Sequence, residues 1–89
     1  MKLRIDQHTR ERAEERGTNA EEIQEVLETG IPFQTGKRRL GKAKIFAFNR
    51  HRHGRFYEQK RVEVIYTPEH DTFVTVTVYV YYGKWEGAR

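Results

Sequence analysis

The sequence contains no cysteine, only two prolines and no long apolar run. The lack of cysteine excludes disulfide bonds, thiol catalysis and thiolate metal sites, so packing and ion pairs must stabilise the fold. No segment approaches the roughly 20 apolar residues of a membrane helix, and the N-terminal segment reaches Arg10, Glu11 and Arg12 without a signal-like apolar core. We therefore predict a cytoplasmic protein with no membrane partner.

The chain has 89 residues, which is enough for one domain (1–89) with one modest core, and its charge is distributed unevenly. Residues 1–31 hold five basic and eight acidic side chains, whereas residues 32–66 hold ten basic side chains against only Glu58 and Glu63. A local excess of lysine and arginine is typical of surfaces that bind phosphate backbones. RNA or another polyanion is the predicted partner, and a solvated basic surface is the alternative.

The first third of the chain predicts two helices, over about 6–16 and 18–29. Gly17 suits the left-handed position that ends a helix, and Thr18 with Glu21 forms the pattern of a capping box. Apolar residues then recur at intervals of three and four, which predicts one buried stripe. The stripe consists of Ala20, Ile23, Val26 and Leu27.

After Pro32 the apolar pattern changes to a period of two, which is typical of strands. The predicted strands cover about 33–35, 42–49, 61–67 and 72–82, with a loop over 51–57 and a loose tail over 83–89. In the last strand the valines at 74, 76, 78 and 80 are expected to face the core. The predicted fold is α+β, with two N-terminal helices on one face of a four-stranded antiparallel sheet, in the order α-α-β-β-β-β.

Three cationic residues in the first helix, His8, Arg12 and Arg16, are spaced four apart and would line one helix face within about 12 Å. If that face meets the sheet, the imidazole can transfer protons and the guanidiniums can stabilise a phosphoryl transition state. The alternative is a solvated row of helical ion pairs, with Arg12 bonded to Asp6 or Glu15.

Tyr79 and Tyr81, with Phe73, are expected on the strand face opposite the valines. Aromatic side chains beside cations form a stacking surface for single-stranded bases, and a tyrosine hydroxyl can join acid–base chemistry. A dimer partner or another surface that covers them is the alternative. Phosphate contacts are expected from lysines and arginines of neighbouring strands, namely Lys42, Lys44, Lys60 and Arg61.

The run His51-Arg52-His53 lies beside Gly54 in the predicted loop. Imidazoles are metal ligands, but these two lack a nearby carboxylate and the chain lacks cysteine. We predict RNA contact or solvation for this segment, no metal site and no cofactor.

The string His8-Thr-Arg10-Glu-Arg12-Ala-Glu-Glu-Arg16-Gly17 resembles the opening helix of a small bacterial domain family of unknown function, which reads His-Ala-Arg-x-Arg-Met-x-x-Arg-Gly-Ile. The strands of that family end in Val-Thr-Val-Tyr, and the matching residues of this chain are Val76-Thr77-Val78-Tyr79. Thr9, Ala13 and Thr18 depart from the Ala, Met and Ile of that pattern. The family is similar to the RelE- and BrnT-type toxins, within a group of metal-independent ribonucleases that includes barnase and the colicin nucleases.

This resemblance implies a RelE-like fold and gives His8, Arg12, Arg16 and Thr77 the positions of the family's polar residues. The predicted function is a toxin-like, metal-independent endoribonuclease that cleaves RNA through attack of the 2′-hydroxyl group. His8, Arg12, Arg16 and Tyr79 are its expected catalytic residues, and Lys42, Lys44, Arg61, Thr77 and Tyr81 its expected substrate contacts. The alternative is a non-catalytic RNA-binding or protein-interaction module, as a monomer or homodimer, with a cognate antitoxin as a second candidate partner.

Overall fold

The computed structural model describes residues 2–36, 38–85 and 87, which form two helices and a five-stranded mixed sheet. In chain order the elements are β1 (Lys2–Arg4), α1 (Gln7–Arg16), α2 (Ala20–Thr29), β2 (Ile31–Phe33), β3 (Leu40–Arg52), β4 (Arg55–Glu69) and β5 (Thr72–Gly83). The strand order is β1-β5-β4-β3-β2. Within the described part of the chain, no helix has the length and apolar character needed to cross a membrane.

The ends of the two helices are fixed by short polar side chains and one glycine. The Asp6 carboxylate caps α1, and Gly17 ends it with φ 92°, as the sequence predicts. The predicted capping box of Thr18 and Glu21 is wrong. Asn19 caps α2 through the amide of Glu22, and the Thr18 hydroxyl donates to the Glu22 side chain instead.

The sheet has one strand more than predicted, and it is not wholly antiparallel. β1 pairs with β5 in parallel, with Lys2 opposite Thr72 and Arg4 opposite Val74. The prediction of four antiparallel strands is therefore incomplete. A strand of three residues is too short to show an alternating pattern, so no periodic signal marks β1.

β3 and β4 form a long hairpin where a loop over 51–57 was predicted. The strands run to Arg52 and resume at Arg55, joined by His53 and Gly54, which both have positive φ. Two residues with positive φ match the right-handed twist of the flanking strands. The interpretation of 51–57 as a loop is therefore wrong, and part of the predicted tail also differs, because Gly83 belongs to β5.

Both helices pack on one face of the sheet, where they enclose the core. The buried core cluster is Ala13, Ile23, Val26, Leu27, Val62, Val64, Tyr66 and Val78. The opposite face, called the open face below, carries the side chains of β3, β4 and β5 that alternate with those on the helix side. In two neighbouring rows across β3, β4 and β5 it places Ile45, Arg61 and Tyr81, then Ala43, Glu63 and Tyr79.

The predicted alternation of β5 holds only in its second half. Ile65 lies opposite Thr77 but Tyr66 lies opposite Thr75, so Val76 is an extra residue that reverses the faces. As a result Phe73 is on the helix side, where its ring lies 4.8 Å from that of Tyr66. Its expected place beside Tyr79 and Tyr81 is wrong.

Candidate functional site

A charged pair lies at the centre of the open face. The Nε of Arg61 donates to Glu63 Oε2 at 2.8 Å, and the side chains are only 31% and 18% exposed. The residues between and beside them, such as Val62 and Val64, point to the helix side and are fully buried. Strand alternation therefore brings a guanidinium and a carboxylate together on the sheet face opposite α1 and α2.

Two tyrosines stand beside this pair on β5. Tyr81 lies directly opposite Arg61 and Tyr79 directly opposite Glu63, and their side chains remain 49% and 40% exposed. Thr77 continues the same face in the next row, opposite Ile65. Three residues expected to contact substrate, Arg61, Thr77 and Tyr81, thus share one surface with Tyr79.

Arg16 reaches this surface from the end of α1. Its Nη1 donates to the carbonyl oxygen of Val78 at 2.6 Å, and its guanidinium carbon lies 5.1 Å from the centre of the Tyr79 ring. Arg16 and Tyr79, two of the expected catalytic residues, therefore lie together. Arg16 adds a second guanidinium beside the tyrosines and a cation–π contact that orients Tyr79.

His8 and Arg12 do not join Arg16 at the strands. The positions of α1 that face the sheet are Thr9 and Ala13, which are buried. His8 is exposed in the first turn, and Arg12 donates to Glu15 at 2.8 Å, as the ion-pair alternative expects. The hypothesis that all three cationic residues converge on the sheet is therefore wrong, because the apolar and small residues occupy the buried stripe instead.

The expected substrate contacts Lys42 and Lys44 lie on the helix side of β3, away from Arg61. Lys42 donates to the carbonyl oxygen of Leu27 at 2.8 Å, and Lys44 to the Glu25 carboxylate at 2.5 Å. Both ammonium groups are thus used to hold the C-terminal half of α2 on the sheet. Lys60 is on the same side and is buried.

The tip of the β3–β4 hairpin combines cations with aromatic rings. The guanidinium carbon of Arg50 lies 4.8 Å from the centre of the Phe48 ring, and that of Arg52 lies 4.9 Å from the centre of the Tyr82 ring. The ring of His51 packs edge-on against Phe56. Burial raises the pKa of Tyr82, although Arg52 opposes the shift. Across residues 2–36, 38–85 and 87, no three His, Asp or Glu side chains come together as metal ligands.

Sequence reasoning missed Glu63 as a site residue, and it placed Trp85 in a loose tail. Glu63 could have been found from the segment Arg61-Val-Glu63-Val-Ile65, in which alternation sets it on the face of Arg61. Trp85 follows β5, and its amide donates to the side-chain oxygen of Gln59 at 2.6 Å. Nothing in the pattern after Gly83 indicates on which face the indole lies.

The chain matches no protein-family model, no curated protein and no solved structure. Its function is therefore inferred from the geometry of the open face.

Proposed function

We propose that the protein is a metal-independent endoribonuclease that binds single-stranded RNA on the open face of its sheet. With this function we propose a RelE- or BrnT-like fold and a cognate antitoxin as a protein partner. Two helices on one side of the sheet leave its other side accessible, which is the arrangement that such an activity requires. The proposed site contains Arg16, Arg61, Glu63, Tyr79 and Tyr81.

One observation supports this proposal above all, the pairing of Arg61 with Glu63 beside two exposed tyrosines of β5. A charged pair is not needed for solubility at the centre of a sheet face. Apolar or uncharged side chains would lose less hydration there than a guanidinium and a carboxylate do. The carboxylate can accept the proton of a ribose 2′-hydroxyl, the guanidinium can bind the phosphate, and a tyrosine hydroxyl can donate a proton to the leaving oxygen.

In the proposed reaction the Glu63 carboxylate accepts the proton of the ribose 2′-hydroxyl. The 2′-oxygen then forms a bond to phosphorus, and the bond from phosphorus to the 5′-oxygen breaks. Arg61 stabilises the extra negative charge on the phosphoryl oxygens, with Arg16 near Tyr79 as a second cation. The Tyr79 hydroxyl donates a proton to the leaving 5′-oxygen, so the products are a 2′,3′-cyclic phosphate and a 5′-hydroxyl.

RNA binding without cleavage is the second candidate. The position of His8 favours it, because this expected acid or base is exposed at the start of α1, whereas Arg16 contacts Tyr79 at the other end of the helix. Under this alternative, Tyr79 and Tyr81 stack bases, and Arg61 with Glu63 provides polar contacts only.

The test compares wild type with Glu63→Gln on a labelled single-stranded RNA in excess EDTA, with products separated on a gel. We expect the wild type to release fragments with cyclic phosphate ends, and Glu63→Gln to cleave about 10²- to 10⁴-fold more slowly because it lacks the base. Glu69→Gln is the matched control, since Glu69 is on the same strand in an exposed pair with Arg4.

Equal melting temperatures of the two variants would show that the loss is chemical. Full activity of Glu63→Gln would disprove the role of Glu63, and loss of activity in His8→Ala alone would return that role to His8. Salt-sensitive RNA binding with no product from any protein would support the binding alternative.

A further inference from the structure

A pocket of about 370 Å³ opens beside Arg61, on the side away from the tyrosines. It lies between β2, the middle of β3 and the segment after β5, and its walls include Ile31, Phe33, Ile45, Arg61 and Trp85. Its size is within the range of small-molecule sites, which is about 300–1,000 Å³. Apart from Arg61, the residues of these walls take no part in the proposed reaction.

Two aromatic side chains in the walls are held by the backbone around them. The Phe33 ring lies against Gly41, because a β-carbon at Gly41 would come within 2.7 Å of it. The Trp85 indole lies beside Gly83, where a β-carbon would be 3.7 Å from its nearest atom. Gly41 must lack a side chain for the Phe33 ring to lie this close to the sheet, whereas a β-carbon at Gly83 would make only an ordinary contact with the indole.

Arg61 joins the pocket to the charged pair. Its guanidinium carbon lies 5.9 Å from the centre of the Phe33 ring, and its Nε is bonded to Glu63. Its neighbours across the sheet are Ile45, which lines the pocket, and Tyr81. A ligand with a flat apolar part in the pocket would therefore have its adjoining anionic group at Arg61.

We infer that this pocket is a nucleobase subsite, in which one base of single-stranded RNA lies against Phe33 and Trp85 while its phosphate contacts Arg61. The inference rests on the proposed function of the open face and specifies how the RNA lies on it. The strand crosses the sheet from β2 towards β5, with the next base at Tyr79 or Tyr81. Aromatic walls accept the π-face of a base, and the cation matches the phosphate.

The test uses the single tryptophan, whose indole N–H gives one peak in a ¹⁵N-correlated NMR spectrum of the whole protein. Adenosine 5′-monophosphate and ribose 5-phosphate, which differ only by the base, are titrated in EDTA. We expect the nucleotide to shift the Trp85 indole peak and the amide peaks of Phe33 and Ile45. Ribose phosphate should move the Arg61 region alone.

Phe33→Leu should weaken nucleotide binding about five- to tenfold, because it removes a stacking ring but keeps an apolar wall. Phe56→Leu makes the same change at the exposed hairpin tip and should leave binding unaltered. If the NMR spectrum shows that Phe33→Leu is unfolded, the comparison of the two ligands on the wild-type protein alone tests the subsite.

The subsite proposal would be overturned if the nucleotide shifted only the peaks of Tyr79 and Tyr81. It would also be overturned if ribose 5-phosphate caused the same peak shifts as the nucleotide. Wild-type affinity in a folded Phe33→Leu protein would overturn it as well. Because no cleavage is measured, these results are independent of the ribonuclease assay. An inactive protein that binds the nucleotide at Trp85 retains the subsite, and an active protein that does not bind it there loses only the subsite.

Discussion

At the scale of single residues, Asp6 performs two tasks at the start of α1. Its carboxylate accepts the amide hydrogen bond of Thr9 at 2.8 Å, and its own amide donates to the Thr75 hydroxyl at 3.1 Å. Desolvation acts to raise the pKa of this carboxyl. The Thr9 hydrogen bonds and the nearby His8 and Arg4 outweigh it, so the pKa is lowered.

Replacement of Asp6 by asparagine should change how stability depends on pH. Because the pKa is lower in the folded than in the unfolded protein, ionised Asp6 stabilises the fold at pH values above its unfolded pKa. That stabilisation is lost as the pH falls through the folded pKa. Asparagine is also a good capping residue, so Asp6→Asn removes the charge and leaves the cap.

The free energy of unfolding, measured in urea from about pH 2 to pH 7, should therefore favour wild type over Asp6→Asn more at pH 7 than at pH 2. Asp6→Ala should be about 1 kcal/mol less stable than Asp6→Asn, since it loses the cap as well. Parallel pH profiles for wild type and Asp6→Asn would contradict the assignment.

At the scale of elements, a buried ammonium group links the α1–α2 corner to β4. Lys60 is 4% exposed, and its Nζ donates to the Gly17 carbonyl at 2.8 Å and to Glu22 at 2.7 Å. The Thr18 hydroxyl donates to the same carboxylate oxygen. One lysine thus satisfies the end of α1 and the start of α2 together.

Lys60→Met should destabilise the protein by about 2–4 kcal/mol, because it leaves the Glu22 carboxylate and the Gly17 carbonyl without their buried donor. Lys84→Met is the control, since its pair with Glu58 spans 3.5 Å in solvent and should contribute less than about 1 kcal/mol. Adding Glu22→Gln to Lys60→Met should recover part of the loss. Urea unfolding of the four proteins provides the comparison, and equal losses in the two lysine variants would refute it.

The elements also show what a sequence can predict. In the predicted stripe of α2, Ile23, Val26 and Leu27 are buried, whereas Ala20 at the first helical position is exposed. This stripe and the alternation of β4 each repeat several times, so periodicity identified them. β1 has three residues and the bulge at Val76 is a single insertion, so neither leaves a periodic signal. Their effects depend on pairing with distant strands, which local patterns do not contain.

The same limit explains the outcome for the candidate site. Arg61, Thr77, Tyr79 and Tyr81 were selected as strand residues, and register brings them together. The charge of Lys42 and Lys44 predicts phosphate contacts, but both bind the C-terminal end of α2. The sequence does not indicate how α2 packs on the sheet. Charge was predictable, whereas the face that presents it depends on tertiary packing.

At the scale of the whole molecule, the basic segment is divided between two uses. Lys42, Lys44 and Lys60 bind the helices, whereas Arg61 lies on the open face and Arg50 and Arg55 are exposed on the hairpin. The net charge of +4 therefore does not show which side of the molecule carries the accessible positive charge. Of these six side chains, the three arginines are the ones that a polyanion can reach.

RNA affinity should fall as salt rises, with a slope set by the cations that contact phosphates. Arg61→Gln should reduce the slope of log affinity against log salt by about 0.7, the value for one phosphate of a single strand. Lys42→Gln, which removes the same charge from the helix side, should leave the slope unchanged. Fluorescence anisotropy with an oligonucleotide measures both, and equal changes in the two variants would contradict the division of charge.

The parallel pairing of β1 with β5 has a consequence for synthesis. Lys2 is translated long before its neighbour Thr72, and the apolar stripe of α2 leaves the ribosome before the valines of β4 and β5 that cover it. A nascent chain therefore exposes this stripe until the last strand has emerged. Because its central contacts join distant parts of the sequence, the domain completes its fold only after β5 is released.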